Sequence, residues 1–256
     1  MSSIFKLKLF NRNMKNQDIA IFIAAHKDYD KFPNCPIYTI VHSGELKNQY
    51  PIRVVNEYDH LVNLRQWRNS YAELTRLYHV WRCEKLPKYV GFCQYKRYFN
   101  FYDEGVDPEE LFKDADVILP AKISLGGNLK SNFKSCHGKK DMDLIMEVIK
   151  ESYPSYVNDA EAVYRQRNIY AHNMFIMKKD DFMRYCLFMF GVFSKFNEKR
   201  NANNDKESYE YNKAHKDDYR NEETCRRLHA FLAERVSNIF YKHNFKKIKE
   251  LNLYKI

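Results

Sequence analysis

The sequence predicts an α/β fold, a largely buried sheet flanked by helices, in one domain over residues 1–256. Three observations carry this. Residues 19–25 (IAIFIAA) form an unbroken apolar run, the pattern of a parallel strand covered on both faces. Residues 71–84 place Leu74, Leu77, Tyr78 and Trp81 at helical spacing, and a second apolar run, Tyr89-Val90-Gly91-Phe92-Cys93, follows after Pro87. Gly and Pro number only 7 each among 256 residues, too few for a turn-dense β-sandwich.

Taken in order, the run 19–25 ends at His26-Lys27-Asp28, where a loop begins. A second strand is predicted at 37–41 (IYTIV), stopped by His42-Ser43-Gly44, while residues 45–69 show no assignable period. The helix over 71–84 closes before Pro87, and the strand 89–93 runs into Gln94-Tyr95-Lys96-Arg97-Tyr98-Phe99. Pro108 opens a short helix to about residue 113, and 116–119 (DVIL) reads as a strand ended by Pro120. Residues 121–139, with Gly126-Gly127 and Gly138, read as a loop long enough to suggest function. Helices follow at 141–152 and 155–165, a strand at 173–177 (NMFIM), and a long aromatic helix at 180–196. Residues 197–220 are polar and read as a mobile loop or insert, and a final helix covers 222–243, so the C-terminal part is helical.

Lys and Arg number 43 against 33 Asp and Glu, a formal net charge of +10. Such a field attracts polyanions: nucleic acid, anionic lipid headgroups or a phosphorylated substrate. No helix-turn-helix, zinc-finger or RRM signature is present, so nucleic acid is not the expected partner. The six cysteines, at 35, 83, 93, 136, 186 and 225, lack C-x-x-C spacing and sit in unlike contexts, which suits buried free thiols in a reducing compartment and no zinc site. No apolar stretch reaches the roughly 20 residues that span a bilayer. The charged run Phe5-Lys6-Leu7-Lys8-Leu9-Phe10 is not a signal peptide. The expected location is cytoplasmic, with basic ends suited to peripheral contact with an anionic inner-membrane face.

In an open α/β sheet, ligands bind beyond the carboxyl ends of the strands. His26-Lys27 and Gln94 to Tyr98 occupy two such ends. Basic groups there could converge on a diphosphate, Arg by its bidentate fork and Lys as a mobile point charge, while Tyr could stack on a base or bond sugar hydroxyls. The alternative is that alternate residues of 94–99 are core and the basic ones are solvated.

Glu73-Leu74-Thr75 with Leu77-Tyr78 and Trp81, followed by Tyr89-Val90-Gly91-Phe92-Cys93-Gln94-Tyr95-Lys96-Arg97-Tyr98-Phe99, resembles a bacterial family known as domain of unknown function 4422. The resemblance continues through Asp116-Val117-Ile118-Leu119-Pro120, His137, Asn173 to Met177 and Phe231 to Arg235, and covers about residues 18–252. Members are associated with capsular or O-antigen polysaccharide synthesis and regarded as glycosyltransferases. Two departures matter: the family's His after the Cys is Gln94 here, which cannot carry a proton near neutral pH, and its first Arg is Lys96, which lacks the bidentate fork.

The resemblance implies a GT-A-like nucleotide-binding sheet flanked by helices, with 18–120 as the nucleotide-binding half and 121–256 as a helix-rich acceptor side. It implies a hexosyl- or pentosyltransferase moving a sugar from a nucleotide-sugar donor to a growing surface polysaccharide or a lipid-linked oligosaccharide. A non-catalytic or nucleic-acid-binding basic α/β protein is the alternative. Donor contacts are expected from Ala24, His26, Lys27, Glu73, Tyr78, Gln94, Tyr95, Lys96, Arg97 and Asn173. Candidates for the base that an inverting transfer needs are Asp116, His137, Asp141 and Glu234. Related enzymes commonly hold a divalent metal (Mn or Mg) through a D-x-D motif. None follows strand 89–93, and Asp103-Glu104 and Asp141-x-Asp143 are the nearest carboxylate pairs. No metal ligand is therefore assigned, and Lys96 with Arg97 is expected to neutralise the leaving diphosphate instead.

Overall fold

The computed structural model describes residues 18–99, 101 and 106–255. The basic N-terminal run at 5–10 and the Asp103-Glu104 pair lie outside the described residues. The strands are β1 (Ile19–Ala25), β2 (Tyr38–His42), β3 (Arg53–Asn56), β4 (Tyr89–Gln94), β5 (Arg97–Phe99), β6 (Val117–Pro120), β7 (Ile123–Ser124), β8 (Asn168–Ile169), β9 (Phe175–Lys178), β10 (Ile248–Leu251) and β11 (Leu253–Lys255). The α-helices are α1 (Arg68–Tyr71), α2 (Leu74–Cys83), α3 (Pro108–Leu111), α4 (Leu129–Cys136), α5 (Asp141–Ser152), α6 (Val157–Arg165), α7 (Lys179–Lys199), α8 (Asp205–Ala214), α9 (Glu222–Arg226) and α10 (Leu228–Asn244).

Among the described residues, nine strands form one mixed sheet whose main path runs β10-β6-β9-β4-β1-β2-β3, with β5 bridging β4 to β11. Strand β1 pairs in parallel with both β2 and β4, as its uninterrupted apolar run predicts. Along it the side chains alternate between two cores. Ile19, Ile21, Ile23 and Ala25 join one apolar cluster, and Phe22 and Ala24 the other. Gly91 in β4 is set by this packing, because a Cβ there would meet Ile21 Cγ1 at 2.8 Å. Strand β9 inverts the direction: it is antiparallel to β4 and β6. Its start therefore lies beside the carboxyl end of β4, with Phe175 opposite Phe92. Helices α7 and α10 pack together over the larger core, where the buried Tyr185 and Ser237 hydroxyls bond at 2.8 Å.

The structure corrects several sequence-based boundaries. The helix expected over 71–84 is two pieces, α1 and α2, broken at Ala72, whose φ of 46° lies in the left-handed region. The final helix breaks at Arg227 into α9 and α10, and the chain continues into β10 and β11 rather than ending helically. The loop at 121–139 contains β7 and α4, the latter capped by Asn128, whose side chain accepts from Ser131 N at 2.8 Å. The polar stretch at 197–220 contains α8. Its anchors are polar rather than apolar: the buried Asn212 donates to the Cys225 carbonyl at 2.7 Å, and the Asn204 side chain accepts from Glu207 N at 3.0 Å. All six cysteines are free thiols, four of them buried.

Candidate functional site

A cleft of about 600 Å³ opens where the carboxyl ends of β1 and β4 meet α1, α2 and α9. Ala24, His26, Glu73, Gln94 and Tyr95 line it, together with Arg68, Asn69, Ala72, Arg76, Glu222, Glu223, Arg226 and Arg227. Its walls thus carry four arginines against three glutamates.

At its base Gln94, the last residue of β4, donates through Nε2 to Glu73 Oε1 at 3.2 Å and to the His172 carbonyl at 2.9 Å. Arg97 Nη1 donates to Gln94 Oε1 at 3.1 Å. From the turn just before β9, Asn173 Nδ2 donates to the same Glu73 Oε1 at 2.9 Å. The second oxygen, Glu73 Oε2, lies 3.9 Å from Arg227 Nη2. The Glu73 carboxyl is pushed above the ordinary carboxylate range, first by burial and further by Glu234, against the lowering effect of the Asn173 hydrogen bond and Arg227. Arg76, one turn along α2, is buried; it donates through Nη1 to the Ala72 carbonyl at 2.7 Å and through Nη2 to Ser43 Oγ. Its Nε lies 3.9 Å from Glu57 Oε1.

Backbone strain concentrates here. Among the described residues, five non-glycine positions have positive φ, and four of them, Ala72 (46°), Lys96 (75°), His172 (74°) and Asn173 (52°), surround this network. Such conformations persist only where neighbouring contacts hold them, and they cluster at functional sites. The Ala72 amide plane is fixed by Arg76, and the His172 N–H is held by Glu234 Oε1 at 2.8 Å. An Ala72→Gly variant should relieve about 1 kcal/mol of strain and raise the melting temperature by about 2–4 °C. Differential scanning fluorimetry reads this directly; an unchanged or lower Tm counts against strain at this position.

At the rim, His26 meets Tyr95 edge to face with ring centroids 4.8 Å apart, and Lys96 Nζ lies 5.4 Å from the Tyr95 and Tyr29 ring centroids. The His26 pKa is lowered by burial first, then by Arg76, Lys27, Arg227 and Lys96. Lys27 and Lys96 are exposed.

The other expected residues sit elsewhere. Asp116 precedes β6, which runs in the same direction as β4, so it lies at the opposite edge of the sheet, where its Oδ2 accepts from Lys246 N and Lys247 N. Asp141 is buried at the start of α5, accepts from the Tyr219 hydroxyl at 3.2 Å and lines a separate recess of about 100 Å³. His137 ends α4 with its ring stacked on Phe231 at 4.2 Å, and burial with Arg235 and Arg220 pushes its pKa to about 3. Glu234 spends one oxygen on the His172 amide and the other on Arg235 Nη1 at 2.8 Å. Tyr78 packs on Trp81 and Phe190 beside a second recess, on the far side of α1.

Sequence reasoning missed the cleft arginines, although one signal existed: Arg226-Arg227 would oppose the dipole in the opening turns of one long helix. The structure ends α9 at Arg226, which puts that residue in a last turn, while Arg227 stands at the N-cap of α10. The cleft carboxylates do not form a metal-ligand set. Glu73 is bound by amide donors, Glu222 accepts from Arg226 Nε, and Glu223 accepts from Arg227 Nη1, both at 3.1 Å. Among the described residues no group of three or more His, Cys, Asp or Glu is placed to hold a metal ion.

A mixed sheet flanked by helices, with a cleft at the strands' carboxyl edge, is a GT-A-like α/β fold. The same fold is seen in a solved structure described as the apo form of the bifunctional glycosyltransferase WbbM, with a TM-score of 0.71 and 24% sequence identity. The match covers 92% of this chain and 45% of that one, so this chain spans under half of that protein's length. Residues 20–245 match the family model described as Domain of unknown function (DUF4422), and the chain belongs to that family. No curated protein matches it. No helix among the described residues is long and apolar enough to cross a membrane.

Proposed function

We propose that the protein is a glycosyltransferase that moves a sugar from a nucleotide-sugar donor to a hydroxyl of a glycan acceptor. The observation that carries this is the convergence of Arg68, Arg76, Arg226 and Arg227 with the Glu73–Gln94–Asn173 network on one cleft at the carboxyl edge of β1 and β4. Guanidinium groups fit the oxygens of a diphosphate, and in a partly enclosed site they stabilise the charge that builds on it as the sugar leaves. Arg76 is the best-placed of them, held from below by Ser43 and Glu57. The His26–Tyr95 pair offers an aromatic face at the rim for a base. The acceptor class we propose is a growing surface polysaccharide or lipid-linked oligosaccharide, and a charge of +10 suits an enzyme working at an anionic inner-membrane face.

Titration calorimetry with UDP, GDP and their sugars tests the donor half. A dissociation constant in the micromolar range is expected. Arg227→Ala should weaken binding by about 10-fold, the worth of roughly one charge-assisted contact. Because arginines rather than a metal are assigned to the diphosphate, donor hydrolysis and transfer should survive EDTA. Loss of activity in EDTA with recovery on manganese would overturn the metal-free reading. A thermal shift by oligonucleotides with none by nucleoside diphosphates would overturn the donor reading itself.

A further inference from the structure

We infer that Glu73 is the catalytic base that takes the proton from the acceptor hydroxyl, and that transfer therefore inverts the anomeric centre. This rests on the glycosyl-transfer reading and assigns a group that reading leaves open.

The choice follows from how each carboxylate is employed. Asp116 is at the wrong edge of the sheet, binding two backbone amides. Asp141 belongs to another recess. Glu234 has one oxygen on a backbone amide and the other on Arg235, so both are committed to holding the His172–Asn173 turn and the helix. Glu222 and Glu223 line the cleft but are exposed and paired with arginines one turn away. Glu73 differs from all of these. Both amide donors, from Gln94 and Asn173, converge on Oε1 and fix the carboxyl plane. Oε2 is left with Arg227 at 3.9 Å, beyond hydrogen-bond reach, on a side chain 13% exposed that lines the cleft. A base needs that arrangement: one oxygen anchored, the other able to receive a hydroxyl at hydrogen-bond distance.

His26 is the other titratable candidate in the cleft. It sits at the rim, with its ring edge to face on Tyr95 and its Nε2 turned toward the Tyr95 hydroxyl at 3.5 Å, and burial, then Arg76, Lys27, Arg227 and Lys96, lower its pKa. Burial has the reverse consequence for Glu73, favouring the neutral, protonated form that a base becomes. The charged groups around Glu73 are Arg227 and Glu234 from the last helical region and Arg76 on its own helix, with His26, Arg68, Arg226, Glu222 and Glu223 along the same cleft.

The step balances without another reactant. The acceptor O–H proton passes to Glu73 Oε2 as the acceptor oxygen bonds to the anomeric carbon from the face opposite the leaving group. The anomeric C–O bond to the diphosphate breaks with its electron pair, and the nucleoside diphosphate leaves among the arginines. Glu73 then gives its proton to solvent.

The test is Glu73→Gln, which keeps an oxygen for the Gln94 and Asn173 donors and removes the basic site. Expected results are a kcat for transfer lowered about 100-fold or more, donor binding by calorimetry within about 3-fold of wild type, and a product of inverted configuration by NMR. In the wild type, kcat should fall as pH drops through a value above the ordinary carboxylate range, since the base must be ionised, and that limb should vanish from the residual activity of the variant. A Glu73→Gln kcat within about 5-fold of wild type, or a product of retained configuration, overturns the assignment. The pH profile and product configuration of the wild type need no variant, so a missing acid limb or a retained product overturns the assignment even if Glu73→Gln fails to fold. A wild type that binds no nucleotide sugar defeats the glycosyl-transfer reading rather than the choice of residue.

Discussion

Arg76→Ala is expected to lower the unfolding free energy by about 3–5 kcal/mol and to weaken nucleoside diphosphate binding by at least about 10-fold. The first effect comes from what the truncation leaves behind. Glu57 is 1% exposed, and neither of its carboxylate oxygens has a hydrogen-bond partner among the described residues, so Arg76 is its counter-charge. The Ala72 carbonyl, in the strained turn between α1 and α2, also loses its guanidinium donor. The two effects separate in a double variant. Arg76→Met with Glu57→Gln removes both charges and keeps much of the volume, so most of the stability should return while nucleotide affinity does not. Urea unfolding and calorimetry on the two proteins read this. Recovery of binding in the double variant would show that Arg76 acts only through the fold.

The second large effect is acid sensitivity. His229 is fully buried among Trp67, Tyr71, Phe193 and Phe196. Its Nε2 lies 2.7 Å from Asn197 Oδ1, an acceptor, and its Nδ1 faces Ser70 Oγ, so the ring is a neutral tautomer donating through Nε2. Burial, reinforced by Arg200, holds its pKa well below the ordinary value. The unfolded chain therefore binds a proton below about pH 6.5 that the folded chain refuses, and stability falls as pH falls, by about 1.4 kcal/mol per pH unit. Between pH 6.5 and 5 this residue alone should cost about 2 kcal/mol, and His137 acts in the same direction. Glu73, Asp141 and Asp205, whose pKa values are raised chiefly by burial, oppose the trend once pH falls through those raised values, because the folded state holds their protons better than the unfolded chain does. The Tm should drop markedly from pH 7.5 to 5, and His229→Gln should flatten that dependence while lowering the Tm at both. An equal slope in the variant would remove His229 from the account.

How legible the fold was depends on burial. Strands β1, β2, β4, β6 and β9 lie deep in the sheet, so nearly every residue in them is apolar and the runs stand out. Strand β3, with the sequence RVVN, and β10, with IKEL, are mostly exposed edges whose order comes from a neighbour's backbone, which leaves no mark on composition. Helix α8 was unreadable for a related reason, being fixed by buried Ser208 and Asn212 rather than an apolar stripe. In the cleft, Ala24, His26, Glu73, Gln94 and Tyr95 could be found because they end strands or sit in a recognisable pattern. Arg68, Arg226 and Arg227 come from segments distant in sequence: Asp205 at the start of α8 accepts from Asn69 N and Ser70 N across 136 and 135 residues, and Asn212 of the same helix holds the Cys225 carbonyl of α9. No local period encodes such a meeting.

The pairing of β6 with β10 has a kinetic consequence. Asp116 and Lys247 are joined across 131 residues, and the parallel ladder beside them is closed by Ile248 to Leu251. Loop-closure entropy makes such distant pairing slow. Until it forms, the edge Val117-Ile118-Leu119, buried in the finished sheet, offers unpaired amides on a greasy strip to any other chain in the same state. Nascent or truncated chains stopping before residue 248 should therefore stick to one another, and a helper that shields this strip during synthesis would raise the yield of folded protein.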